Sequence, residues 1–513
     1  MSQAALVVGI DIGTGGVRVV ACDGHGQTWA EADRPLATAG DGPVVEQDPA
    51  EWWQGTAACL RQVTAEVRGR AMIVAVGVAA TSGTVCLLDE RGHALRPAIM
   101  YADRRGQEEV TRINQVAEDL DQRLGYRFNT SWGLPKLLWL LQHEPDRAAR
   151  AGCFAHAGDV ITGRLCGDYR VTDLTQALKT GYDLLEGRWP SWIETQLGLP
   201  LAKFPRVVPS GQIVGRVTAT AAEETGLSTQ TIVVAGMTDG CASQIAAGAT
   251  QPGQWLSVLG TTLVVKGVSE ELVRDPLGRI YCHRHPEGYW LPGAASNTGG
   301  AALSAWPAGA LASLDREAMH LTPASVVVYP LRQQGERFPF VQPAAQGFVE
   351  GTPGSAGELY AATLEGVAYV ERLGYEIVRE LGVAIHPPLL TAGGGAKSSV
   401  WTQIRADVLQ QPVGVAAMTG AGFGAAVLAA SATLHDTLAA ACRAMTRITE
   451  IVMPRGERAA RYDENYRRFL ATCQARGYLA EAGGGIERIS PGADTSAAQP
   501  PAAPAFGTHS AHR

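Results

Sequence analysis

Residues 7–20 read VVGIDIGTGGVRVV. An apolar run meets an acid, Asp11, then a turn of Gly13, Thr14, Gly15 and Gly16, after which Val17, Val19 and Val20 lead away. The pattern predicts a β-hairpin with a carboxylate at the lip of a glycine turn. Glycines let backbone N–H groups point at a bound anion, and the acid can hold a hydrated cation, so phosphate with magnesium suits this turn. A tight hairpin whose acid merely solvates the turn suits it equally well, and the rest of the chain has to decide.

About 250 residues later, half the chain, the pattern returns. WLSVLGTTLVVKGV, residues 255–268, reads as strand, Gly260-Thr261-Thr262 turn, strand. A repeat at that spacing is the signature of a duplicated domain. At 513 residues the chain is too long for one ordinary core. The expected division is 1–250 and 251–480, with an Ala-, Pro-, Gly- and Ser-rich tail at 484–513 expected to be disordered.

Composition narrows the function classes. Hydrophobic residues at 46% and charged residues at 18% describe a soluble globular protein with ample core. A net charge of −7 without a basic cluster argues against nucleic acid as a partner. Nine scattered cysteines with no CxxC pair match a reducing cytoplasm. The N-terminal run leads straight into Asp11 and has no basic n-region, so it reads as a strand and not a signal peptide. Residues 408–434 carry no charge, but Pro412 and a Gly turn break the stretch, so it reads as strand, loop and buried helix and not as a membrane span.

Other stretches add polar groups at predicted strand ends. MIVAVGVAATSG is a buried strand running into Thr81, Ser82 and Gly83, and small polar residues there either bind ligand or simply turn the chain. MYADRR offers Tyr101, Asp103, Arg104 and Arg105 nearby, unless these only start a solvated helix. Residues 130–145 read as an amphipathic helix, and residues 175–190 as a further helix bearing Lys179, one of only five lysines and expected at the surface. Asp239 follows an apolar strand at 232–235 and precedes a helix of small residues, where it is either an N-cap or a general base held by a rigid strand end. Ser355 and Glu358 form a capping box before a long helix. Strand 389–392 runs into Gly393, Gly394 and Gly395, then a helix from Ser398 carrying Trp401. The glycines leave a flat backbone on which a purine can lie, or form a structural loop. His283 and His285 share a strand face, but no acid or cysteine completes a metal set.

GIDIGTGG, TSGT, MTDG, LGTT and AGGGAKSSVW occur in this order, and the chain resembles the FGGY family of carbohydrate kinases over about residues 5–475. The resemblance implies an α/β fold of two ribonuclease-H-like, actin-type domains, with ATP and sugar in the cleft between them. It makes the first half the sugar and phosphate side and the second the nucleotide side. By the same resemblance Asp11 is the residue near Mg²⁺, with Gly13 and Thr14 as phosphate contacts, and Gly260 and Thr261 form the second phosphate loop. Gly394, Gly395, Ser398 and Trp401 correspond to the adenosine pocket, Asp239 to the catalytic base, and Ser82, Gly83, Asp103 and Asp239 to the sugar site. The motifs look most like the D-ribulose/D-xylulose kinase-like branch, implying a ketopentose acceptor such as D-ribulose or D-xylulose. Gly83 and Gly240 stand where bacterial xylulokinases carry histidine and asparagine, and the loop 418–422 lacks an acid often found there. The alternatives are a polyol kinase of the same family and an actin-like ATPase module without a sugar. The resemblance implies cytoplasmic ATP and Mg²⁺ chemistry, no membrane partner, and leaves a homodimer open.

Overall fold

The computed structural model describes residues 3–479, and the expectation for the 484–513 tail lies outside them. The opening hairpin is present: β1 (Ala4–Gly13) pairs antiparallel with β2 (Gly16–Asp23) in a register that sets Asp11 opposite Arg18 and Gly13 opposite Gly16. With β3 (Thr28–Pro35), β4 (Ala71–Ala80), β5 (Ile213–Arg216) and β6 (Ile232–Val234) it builds a sheet of order β5-β6-β4-β1-β2-β3. The strands β1, β4 and β6 run parallel, and the short strand Met237–Thr238 continues beside the end of β4.

The second sheet repeats this plan. Its strands are β7 (Trp255–Leu259), β8 (Leu263–Gly267), β9 (Tyr281–Arg284), β10 (Trp290–Ser296), β11 (Leu389–Ala392), β12 (Val413–Ala416) and β13 (Ile448–Val452). Their order is β9-β10-β8-β7-β11-β12-β13. Here β7, β11 and β12 are the parallel set, and β8, β10 and β13 run antiparallel to their neighbours β7, β8 and β12. Apart from the extra edge strand β9, each strand has a counterpart in the first sheet, so the half-length repeat is a repeat of topology.

Five helices fix the layers: α1 (Pro49–Val67), α2 (Asp239–Ala246), α3 (Ala356–Glu380), α4 (Ser399–Leu409) and α5 (Ala421–Ser431). α1 starts where the Asp48 carboxylate accepts from the Ala50 N–H, and it lays Trp52, Leu60 and Val63 on one face of the first sheet. α3 and α4 cover the second sheet with Tyr369, Val370, Trp401 and Ile404. Although α5 comes late in the chain, it packs on the first sheet and on α2. Only glycine permits that approach: a Cβ on Gly9 would fall 1.7 Å from Gly422 O, and one on Gly424 would fall 1.8 Å from Ala242 O. The uncharged stretch is therefore strand β12 and buried helix α5, and no helix among the described residues is long and apolar enough to cross a membrane.

Some local expectations shift. The helix expected at 175–190 is only Leu174–Ala177 and a 3₁₀ turn, stopped by Gly181 at φ 92°. Ser355 does cap α3, accepting from the Glu358 N–H, but the Glu358 carboxylate accepts from Gly354 and Ser325 instead of closing a capping box.

Candidate active site

Three features meet at the C-terminal ends of the first sheet's parallel strands, the place where open α/β sheets bind ligands. Asp11 pairs in register with Ala79 of β4, and Ala79 pairs with Met237, so Asp11 and Asp239 stand at the ends of the two strands that flank β4. The Thr81-Ser82-Gly83 turn leaves the end of β4, with the Thr81 N–H donating to Ile12 O. The glycine turn is held from below by Gln47, whose Nε2 donates to Thr14 O at 2.7 Å while its Oε1 accepts from Trp52.

Asp11 is 7% exposed. Its Oδ2 accepts from Arg18 at 3.2 Å, and its Oδ1 is buried without a partner among the described residues. Burial, and next the negative charge of Asp239, push its carboxyl up to about 6 against the pull of Arg18. A buried acceptor atom with nothing to accept from is what a hydrated magnesium ion would complete, so the residues present fit that ion.

Asp239 is half-buried at the first helical position of α2, not the N-cap, which is Thr238. Among the described residues its Oδ1 accepts only from the adjacent Gly240 N–H, at 2.6 Å. Burial raises its carboxyl above the ordinary range, while the Gly240 N–H, Lys179 and Lys266 pull it down. Ser82 adds a buried hydroxyl oxygen without a partner. Gly83 closes the wall beside it: φ is 82°, and a Cβ would fall 2.2 Å from Ser131 O. That wall is fixed, because Lys136 Nζ donates to Thr130 O at 2.6 Å and to Trp132 O at 2.9 Å on either side of Ser131.

The second sheet brings its own two turns together at the ends of β7 and β11. A Cβ on Gly393 would fall 2.7 Å from Leu259 O, so the glycine triplet lies directly against the Gly260-Thr261 turn. Gly394 is exposed with open space above it, and Thr261 is exposed. Behind the turn lies a segment whose role the sequence did not disclose: Gly300 N–H donates to Gly260 O at 2.7 Å, and Ala301 N–H to Thr261 O at 3.0 Å. SNTGG, residues 296–300, is therefore the backing of the loop.

Two expected site residues are buried in the protein. Asp103 is 0% exposed, and its carboxylate accepts from Val45 N–H and from the backbone and guanidinium of Arg105, so it braces its own loop. Trp401 is 2% exposed and its indole donates to Leu364 O, so it belongs to the α3–α4 core and not to an adenosine wall. Ser398 caps α4 by accepting from the Trp401 N–H, and its hydroxyl donates to Asp315. Conversely, Lys179 is not a surface residue. It is half-buried, its ammonium stands 5.8 Å from the centre of the Tyr281 ring, and its charge acts on Asp239. Arg18 and Lys266 are further cations that sequence reasoning did not single out. His283 Nε2 is buried without a partner, and burial followed by the two lysines holds its pKa well below the ordinary value. Among the described residues no group of three metal-ligating side chains occurs.

Residues 6–246 match the model of the FGGY family of carbohydrate kinases, N-terminal domain, and residues 256–433 match that of its C-terminal domain. The chain is 29% identical to the xylulose kinase of Escherichia coli, covering 83% of this chain and 89% of that one. It is 30% identical to the xylulose kinase of Streptomyces coelicolor, over 86% and 91% of the two chains. A crystal structure of xylulose kinase from Rhodospirillum rubrum superposes with a TM-score of 0.85 at 30% identity, covering 92% of this chain and 99% of that one.

Proposed function

The chain belongs to the FGGY family of carbohydrate kinases, phosphotransferases that act on a sugar hydroxyl, and from that premise we propose that it moves the γ-phosphate of ATP to a terminal hydroxyl of a ketopentose. The observation that carries this reading is the pair of carboxylates at the ends of the two strands flanking β4, one with an orphaned oxygen for a cation and one free to take a proton.

Asp239 accepts the proton of the hydroxyl as its oxygen bonds to the γ-phosphorus and the bond to the β–γ bridging oxygen breaks. Asp11 would hold magnesium through water, and that ion supplies charge neutralisation on the phosphates. Gly13 and Thr14 on one side, with Gly260 and Thr261 on the other, offer backbone and hydroxyl donors to phosphate oxygens. The adenosine lies over Gly394 and Gly395. Ser82 supplies a hydroxyl to the sugar, and Gly83 keeps the wall beside it bare. Closure of the two halves excludes the water that would otherwise compete as nucleophile. Cytoplasmic location and the two domains at 1–250 and 251–480 belong to the same reading.

D-ribulose, toward which the motifs lean, and D-xylulose, for which the relatives are named, are the two leading acceptors. The test is ADP release at saturating Mg-ATP across a panel of ketopentoses and pentitols. Acceleration by one ketopentose supports the reading. Acceleration by pentitols alone makes it a polyol kinase, and ADP release indifferent to every sugar makes it an ATPase module.

A further inference from the structure

The chain takes nearly all its positive charge from arginine, with five lysines in 513 residues, yet two of the five act on Asp239. One of these, Lys266, comes from the second half of the molecule and runs past two glycines to reach the first. On β8 it faces Gly293 of β10 in register, and its Cγ and Cε lie 3.5 and 3.7 Å from where a Cβ of that glycine would stand. The stem thus lies flat across a residue without a side chain. At its head, Nζ reaches α2, 3.4 Å from Cys241 Sγ and 3.5 Å from where a Cβ of Gly240 would stand. Stem and ammonium each run past a glycine at ordinary contact distance.

The ammonium is left underused. Lys266 is 7% exposed, and its one hydrogen-bond partner among the described residues is a thiol. An ammonium carries three donors, and sulfur is a weak acceptor, so most of its hydrogen-bonding capacity is unspent in a place where water has little access. A ligand oxygen arriving beside Asp239 would relieve that deficit.

Its position tells which ligand. The Gly260-Thr262 turn lies at the far end of β8, four residues away, roughly 13 Å at the rise of an extended strand. At Asp11 the nearby cation is Arg18, in direct contact with the carboxylate. Lys266 stands instead with Lys179, Tyr281 and His283, the group that surrounds Asp239. An ammonium donates and never accepts, which matches the carbonyl and hydroxyl oxygens of a sugar.

We propose that Lys266 is an acceptor-binding, specificity-determining residue, whose ammonium donates to a sugar oxygen beside the hydroxyl that Asp239 deprotonates. The second half of the chain then reads the sugar held on the first, and the assignment rests on the ketopentose-kinase reading above.

Lys266→Met keeps the stem and removes the charge. Loss of one charge-assisted hydrogen bond is expected to raise the KM of the ketopentose about 10- to 100-fold, and its Kd by calorimetry without ATP equally, with the KM of Mg-ATP moving less than about twofold. Gly240→Ala places a Cβ at ordinary contact distance from Nζ and should raise the acceptor KM a few-fold without lowering Tm. If Lys266→Met folds poorly, this second variant decides. An unmoved acceptor KM with a raised KM for Mg-ATP would assign the ammonium to the phosphates, and a lowered Tm with both constants unmoved would make it a structural group. Either result overturns the proposal. Sugar-dependent ADP release by the unsubstituted enzyme separates the two readings: its absence overturns both, whereas its presence beside an unmoved acceptor KM in the variants overturns this one alone.

Discussion

The two hairpins occupy the same place in their sheets and use it differently. Asp11 stands two residues before the last pair of the β1–β2 hairpin, with Arg18 across one side and Ala79 across the other. Ser257 stands two residues before the last pair of the β7–β8 hairpin, between Val265 and Thr391. The serine is fully buried and bonds to the Tyr375 hydroxyl at 2.7 Å. Its neighbour Thr391 accepts from Arg405, which makes a paired contact with Glu371 at 2.7 Å through each of two nitrogens. In the second half the polar groups at this site are spent on one another. In the first, Asp11 keeps an unpartnered oxygen and has a carboxyl that burial and Asp239 push up to about 6. A duplicated fold therefore places the same position twice, and chemistry resides in the copy whose hydrogen bonds are left open.

The largest expected effect lies on the open side. Asp239→Ala is expected to cut kcat about 10²- to 10⁴-fold in the ADP-release assay, the usual consequence of losing a general base, with Tm little changed. Near-normal turnover in that variant would remove the chemical half of the contrast.

On the closed side the cost should appear as stability. Arg405→Met strips the partner from a fully buried Glu371 and is expected to lower stability by about 3–5 kcal/mol in urea unfolding. The KM of both substrates should stay near its original value. A variant that unfolds at the wild-type urea midpoint would show that the second half is not held by this network.

Asp11→Asn tests both sides in one position. Turnover should fall about 10²-fold or more, from weakened metal and phosphate binding. Stability should move the other way. A carboxyl raised from 3.8 to about 6 on folding penalises the native state once it ionises, so the penalty is full above about pH 6 and disappears as pH falls toward 4. The asparagine variant should accordingly be the more stable protein at pH 8, by about 1–3 kcal/mol, and should lose that advantage by about pH 4. Tm measured at pH 8, 6 and 4.5 checks it, and a variant less stable than wild type at pH 8 would mean that Asp11 is a structural anion.

The smallest effect belongs to the counterpart. Ser257→Ala should cost about 1–2 kcal/mol by leaving the buried Tyr375 hydroxyl unpaired, with kcat unchanged. A fall in kcat there would mean that the second hairpin takes part in the chemistry through more than its turn.

Local pattern was enough for much of this. Glycine turns behind apolar strands, the repeat at half the chain length, and Asp239 between a buried strand and a helix all depend on residues close in sequence, where periodicity and turn chemistry act directly. Local reading set Lys179 at the surface, and the roles that the resemblance implied for Asp103 and Trp401 fall on buried side chains, because whether a side chain faces a cleft or a core depends on what another segment brings against it.

The amino-acid sequence by itself determined the two hairpins, their acid and glycines, and the family to which they belong, since φ freedom, strand alternation and ordered motifs are properties of short stretches. The tertiary structure alone decided that α5 crosses to the first sheet over Gly9, that SNTGG backs the second turn, and that Lys266 arrives beside Asp239. Each of these joins segments tens to hundreds of residues apart, and close packing leaves room for such an approach only where both partners have given up their side chains or have one long enough to reach.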